Sequence, residues 1–129
     1  MDCLFCKIIK GEIPSLTIYE DDIVKVFLDI NPTTNGHSLI VPKKHYENMQ
    51  DIDDETYMHI HNTAKELEKI YKEKLSCEGL TLMQNNGLGQ DVKHYHLHLI
   101  PRYKNDNMMH EFNKEVLIDT KKIYEQIKK

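Results

Sequence analysis

Residues 94–101 read His-Tyr-His-Leu-His-Leu-Ile-Pro. Such strict alternation of polar and apolar side chains has one regular backbone solution, a β-strand, whose successive side chains point to opposite faces. His94, His96 and His98 would then share one face at intervals of roughly 6.5 to 7 Å, with Tyr95, Leu97 and Leu99 on the other. The apolar side must enter a core, so the histidine face lies outside the main one. A strand over 92–100 is predicted, stopped by Pro101 because proline has no N–H for the ladder.

The rest of the chain supplies partners for that strand. Thr17 to Glu20 and Ile23 to Leu28 read as a hairpin about the acidic turn Glu20-Asp21-Asp22. His37 to Val41 follows the turn-rich Asn31-Pro32-Thr33-Thr34-Asn35-Gly36 and is stopped by Pro42, and Leu80 to Gln84 forms a further short strand. From Asp53 to Leu75 the positions Tyr57, Ile60, Ala64, Leu67, Tyr71 and Leu75 recur at three and four, which predicts one long amphipathic helix with an Asp N-cap nearby. Residues 3–10 suit a short helix ended by Gly11, and Leu117, Tyr124 and Ile127 mark a C-terminal helix over 114–128. Strands that do not alternate regularly with helices indicate an α+β fold with a central antiparallel sheet, one long helix, a short N-terminal helix and a C-terminal helix.

The 129 residues are expected to make a single domain, 1–129, with a core of about 3–103 and a helical tail, 104–129. A net charge of −4 with both signs interspersed provides no basic face for duplex nucleic acid. No apolar run approaches the ~18 residues that span a membrane, and the opening MDCLFCKIIKGEIP lacks the apolar core of a signal peptide. A cytoplasmic protein with no membrane partner is therefore expected, and its three cysteines read as thiols or metal ligands rather than a disulfide framework.

Three alternating imidazoles support two chemistries. Neutral imidazole is a common metal ligand, and two on one strand converge on zinc if further ligands arrive from elsewhere. Alternatively, an imidazole nitrogen attacks phosphorus or carbon while the other nitrogen is held by a hydrogen bond. Immediately upstream, Asn85-Asn86-Gly87-Leu88-Gly89-Gln90-Asp91 is rich in amides and glycines, whose backbone N–H groups approach an anion closely, which points to phosphate. His59, His61 and His110 have no evident partners and read as solvated.

The segments DINP (29–32), GHSLIVPKKH (36–45), NNG (85–87), Gly89-Gln90 and HYHLHLIPR (94–102) together resemble the histidine triad (HIT) family, and within it the Hint branch. The resemblance implies a HIT-like fold, a homodimer, and hydrolase or transferase chemistry at a nucleotide α-phosphate. It casts His96 as the nucleophile of a covalent nucleotidyl-histidine intermediate, His98 as a phosphate contact and His37 as its support, with His94 completing the triad. It places a purine nucleoside against Leu4, Phe5, Ile8, Phe27 and Ile30, with Asp29 on the ribose and Asn85, Gly89, Gln90 and Asp91 near the phosphate. Asp91 stands where many relatives carry a hydroxyl that contacts the leaving group; it suits an acid, an acceptor for an amine, or a charge that repels polyphosphate. The implied activity is hydrolysis of purine nucleoside phosphoramidates or related conjugates, with a diadenosine polyphosphate hydrolase or a non-catalytic nucleotide-binding regulator as alternatives.

Cys3-Leu4-Phe5-Cys6 is a C-x-x-C pair outside the βαβ setting of a redox motif, and it offers only half of a structural zinc site. The resemblance supplies the other half, His45 and His94, to give Cys3, Cys6, His45 and His94 as a structural Zn2+ site.

Overall fold

A computed structural model describes residues 2–108 and 111–129. Its elements are α1 (Leu4–Ile9), β1 (Thr17–Glu20), β2 (Val24–Leu28), β3 (Ser38–Pro42), α2 (Asp54–Leu75), β4 (Gly79–Met83), β5 (Leu97–Arg102), a 3-10 turn (Lys114–Val116) and α3 (Thr120–Ile127). The strands form one five-stranded sheet in the order β1-β2-β3-β5-β4, with every neighbouring pair antiparallel. This is the expected α+β architecture.

Alternation along the strands assigns the two faces of the sheet. Val24 and Val26 of β2, Ile40 of β3 and Leu97 and Leu99 of β5 join Ile60, Ala64, Leu67 and Tyr71 of α2 in the larger core. Helix α2 starts where the Asp53 carboxylate accepts from Thr56 N–H at 2.8 Å, and it ends at Ser76 in the left-handed region. The ends of its predicted apolar stripe, Tyr57 and Leu75, remain exposed. On the opposite face Phe27, Leu39 and Val41 pack beneath Cys3, Phe5 and Ile8 of the N-terminal segment. The histidine side is therefore outside the main core, as alternation required, yet it is covered: His94, His96 and His98 are all buried.

The last strand is displaced from its predicted position. It runs Leu97–Arg102, and Pro101 lies within it, opposite Leu80. Pairing of β3 with β5 stops at Ser38–Leu99, so no carbonyl on that side awaits a Pro101 N–H. At the other end the ladder stops at Ile40–Leu97, because residues 94–96 spend their hydrogen bonds elsewhere: Tyr95 N–H donates to Tyr46 O at 2.7 Å. Pro42 likewise closes β3 by pairing with Val24 on the β2 side, which leaves its carbonyl facing β5 free for other use.

The C-terminal helix is shorter than the 114–128 predicted. Asn113 caps the 3-10 turn, Leu117 is extended, and Asp119 caps a new start at Thr120, its carboxylate accepting from Lys121 N–H. Residues 111–129 are exposed throughout. His59 is not merely solvated: its Nε2 lies 2.7 Å from an Asp21 carboxylate oxygen, tying α2 to the β1–β2 turn. His61 stacks at a tilt on Tyr57, and His110 lies outside the described residues.

Candidate active site

Two backbone carbonyls sort the histidines. A carbonyl only accepts, so the ring nitrogen beside it must carry the proton, and in a neutral ring the other nitrogen carries the lone pair. His94 Nε2 donates to Pro42 O at 2.8 Å, so its Nδ1 is the free donor atom. His96 is turned the other way: Nδ1 donates to His94 O at 2.7 Å, leaving Nε2 as the lone-pair nitrogen.

Around the free Nδ1 of His94 stand Cys3 Sγ at 3.4 Å, Cys6 Sγ at 3.5 Å and His45 Nδ1 at 3.0 Å, with His45 Nδ1 also 3.4 Å from Cys6 Sγ. Tetrahedral bonds of about 2.0 to 2.3 Å give ligand–ligand edges of roughly 3.3 to 3.8 Å. The spacing and the Cys2His2 donor set fit a zinc ion. Burial holds the His94 pKa down at about 4, so the ring presents a lone pair through the neutral range. Cys3 also caps α1, its sulfur accepting from Cys6 N–H at 3.4 Å.

The other two histidines of the cluster form a relay. Thr33 N–H donates to His37 Nδ1 at 3.0 Å, so His37 carries its proton on Nε2. That nitrogen faces His98 Nδ1 at 2.9 Å and an Asp29 carboxylate oxygen at 3.6 Å. His98 Nδ1 is thereby the acceptor, and its Nε2 is left as an N–H donor. Burial lowers the pKa of both rings, that of His98 to about 4, so both are neutral at physiological pH. Gly36, at φ 91°, turns the chain into β3 just ahead of His37, where a side chain would also meet Leu75 and Pro101.

His96 and His98 line a cavity of about 220 Å³ whose walls include Leu4, Phe5, Ile8, Phe27, Asp29, Ile30 and Asp91. Phe5 meets the His96 ring edge-on at 4.9 Å and so fixes its plane from the α1 side. Ile30 is 89% exposed and stands at the rim. Asn85, Gly89 and Gln90, placed near a phosphate by the sequence reading, are not among the lining residues. Gln90 is buried within its own loop, its amide donating to Glu47 O at 2.6 Å and accepting from Gly87 N–H at 3.2 Å. The same loop carries Asp91, which does line the cavity.

Sequence reasoning missed Ile13, Pro14, Ser15, Leu28, Asn31, Leu39 and Val92 in the wall. Leu39 was accessible to it, because β2–β3 pairing sets Leu39 opposite Phe27. Ile13 to Ser15 enter only because the chain after α1 folds back over the sheet, which no periodicity signals.

The HIT domain family matches residues 10–105. An uncharacterized HIT-like protein of Methanocaldococcus jannaschii is 42% identical over 128 residues, covering 98% of each chain. An adenosine 5'-monophosphoramidase of Saccharomyces cerevisiae is 45% identical over 102 residues, 78% of this chain and 62% of that one. The crystal structure of a zinc-bound histidine triad family protein from Mycobacterium smegmatis superposes with a TM-score of 0.81 at 34% identity, covering 88% of this chain and 84% of that one.

Proposed function

This chain belongs to the HIT family, and on that premise we propose that it hydrolyses purine nucleoside phosphoramidates, or related conjugates, at the α-phosphate through a nucleotidyl-His96 intermediate. The observation that carries this reading is the 2.7 Å bond from His96 Nδ1 to the His94 carbonyl. It supplies a fixed tautomer and a lone pair at the cavity wall, which a nitrogen nucleophile requires. The named activity of the yeast relative supports the substrate class.

In this reading the base lies between Leu4, Phe5, Ile8, Phe27 and Ile30, and Asp29 accepts from the ribose hydroxyls. His96 Nε2 attacks phosphorus, a P–N bond forms to the ring, and the leaving group departs with its electron pair. The His94 carbonyl holds the Nδ1–H throughout and stabilises the positive charge that the ring acquires. His98 Nε2–H donates to a phosphoryl oxygen as charge develops there. Water then attacks the same phosphorus, releasing the nucleoside monophosphate and restoring His96.

Zn2+ at Cys3, Cys6, His45 and His94 would clamp α1 to the sheet and leave the chemistry to the other histidines. The zinc-bound Mycobacterium relative supports that assignment. A homodimer in the cytoplasm belongs to the same reading. Incubation with an adenosine 5'-phosphoramidate of a fluorescent amine, followed by acid-free quenching and intact-mass spectrometry, tests the mechanism: the wild type accumulates a nucleotidyl adduct and His96→Ala does not. Wild-type turnover by His96→Ala would refute it. Tight AMP binding without turnover of phosphoramidates or diadenosine polyphosphates would assign the protein to nucleotide-binding regulators instead.

A further inference from the structure

The reactive nitrogen of His96 faces an unexpected group. Its Nε2 lies 3.4 Å from an Asp91 carboxylate oxygen. Because the ring proton sits on Nδ1, which donates to the His94 carbonyl, two electron-pair donors confront each other with no hydrogen between them. The Asp91 side chain is 78% exposed and accepts from the neighbouring Val92 N–H at 3.0 Å. A group bearing a proton or positive charge at the mouth relieves the repulsion between the two.

The charge of the cavity agrees. Among its lining residues there is no lysine and no arginine, while Asp29 and Asp91 contribute two carboxylates. Sites for polyphosphates ordinarily supply cationic side chains for each phosphate beyond the one attacked. Beyond Asp91 the cavity adjoins a second hollow that shares Leu4, Asp91 and Val92 with it. Glu47 and Asp2 also line that hollow, and its one cation among the described residues, Lys93, already donates to Gly87 O at 3.3 Å.

We infer that Asp91 determines the specificity for the leaving group, favouring an amine that carries positive charge and disfavouring a phosphate. The inference rests on the phosphoryl-transfer reading above. In-line displacement sends the departing atom to the side of phosphorus away from Nε2, toward the open mouth. There the P–N bond breaks, the nitrogen keeps the electron pair and takes one proton from water to leave as a neutral amine, the hydroxide so formed being consumed when it attacks the nucleotidyl phosphorus. The Asp91 carboxylate accepts a hydrogen bond from the amine N–H and attracts positive charge carried elsewhere on the amine. A departing phosphate at the same place meets a like charge. Unit charges about 5 Å apart in a half-solvated setting alter a rate ratio by about ten-fold.

The test compares three substrates with wild type and Asp91→Asn: the adenosine phosphoramidates of ethylenediamine and of propylamine, which differ in charge but hardly in size, and ADP. Wild type is expected to prefer ethylenediamine over propylamine by about ten-fold in kcat/KM, with ADP slowest, and the preference should shrink in high salt. Asp91→Asn should bring the first two within about two-fold and raise ADP relative to both. A uniform fall for all three substrates, or no change in their ratios, would overturn the assignment. If wild type forms no nucleotidyl-His96 with any substrate, the phosphoryl-transfer reading itself fails, and this inference with it; an adduct with unaltered ratios refutes the role of Asp91 alone.

Discussion

His94 and His96 are two residues apart, equally buried and made of the same ring, yet they present opposite nitrogens to different surroundings. One offers Nδ1 to two sulfurs and an imidazole; the other offers Nε2 to a cavity walled by apolar side chains and a carboxylate. Neither ring decides this. Pro42 O and His94 O do, by taking the proton of Nε2 in one case and Nδ1 in the other. Where identical side chains divide into different tasks, the backbone acceptor behind each is the determinant to look for.

The largest effect should fall on the reactive side. His96→Ala is expected to lower kcat by about 10⁴-fold or more while leaving the far-UV circular dichroism and bound metal unchanged. The converse change, Cys3→Ser with Cys6→Ser, should abolish metal binding by elemental analysis and destabilise the fold by about 4 kcal/mol in chemical denaturation. If that double variant melted like wild type, the cluster would not be a structural clamp.

A finer division is expected within the reactive side. His98→Ala should cost about 10²-fold in kcat with little change in KM, as loss of a donor to a developing oxyanion does. Acidity probes the same ring. Its pKa is depressed from the usual 6.5 to about 4, so between those values the unfolded chain binds the extra proton. The His98 contribution is complete above about pH 6.5 and is lost as pH falls toward 4, a change of about 3 kcal/mol. Melting curves of His98→Asn should show a correspondingly flatter pH dependence over that window. Smallest of all, His59→Ala removes an ordinary half-buried pair with Asp21 and should cost about 1 kcal/mol or less by thermal melting.

The sheet was legible because its apolar positions alternate, and α2 because Ile60, Ala64, Leu67 and Tyr71 recur at helical spacing. Alternation also placed the three histidines on one side, but it could not show that α1 covers them, since Phe5 and Ile8 reach across from the far end of the chain. The resemblance, not alternation, linked His37 to His98; the contact joins the residue just before β3 to one in β5, which the β3–β5 register brings together. Asn85, Gly89 and Gln90 were expected near a phosphate from their loop's composition and from the family resemblance. The structure uses Gln90 to brace its own loop, a choice that depends on where Glu47 O ends up. Pro42 and Pro101 seemed to bound their strands from outside, but each sits inside one, at a position whose missing N–H faces no acceptor across the ladder.

Cys3 and His94 meet across 91 positions of chain. Seen as polymer physics, an ion held between them ties nearly the whole sheet into one loop. Closing a free chain of that length costs on the order of 4 kcal/mol of configurational entropy, growing only with the logarithm of length. The six residues of α1 are too few to persist as a helix alone. Their hold on the last strand is therefore a global constraint, one that exists only once the chain between has been threaded into place.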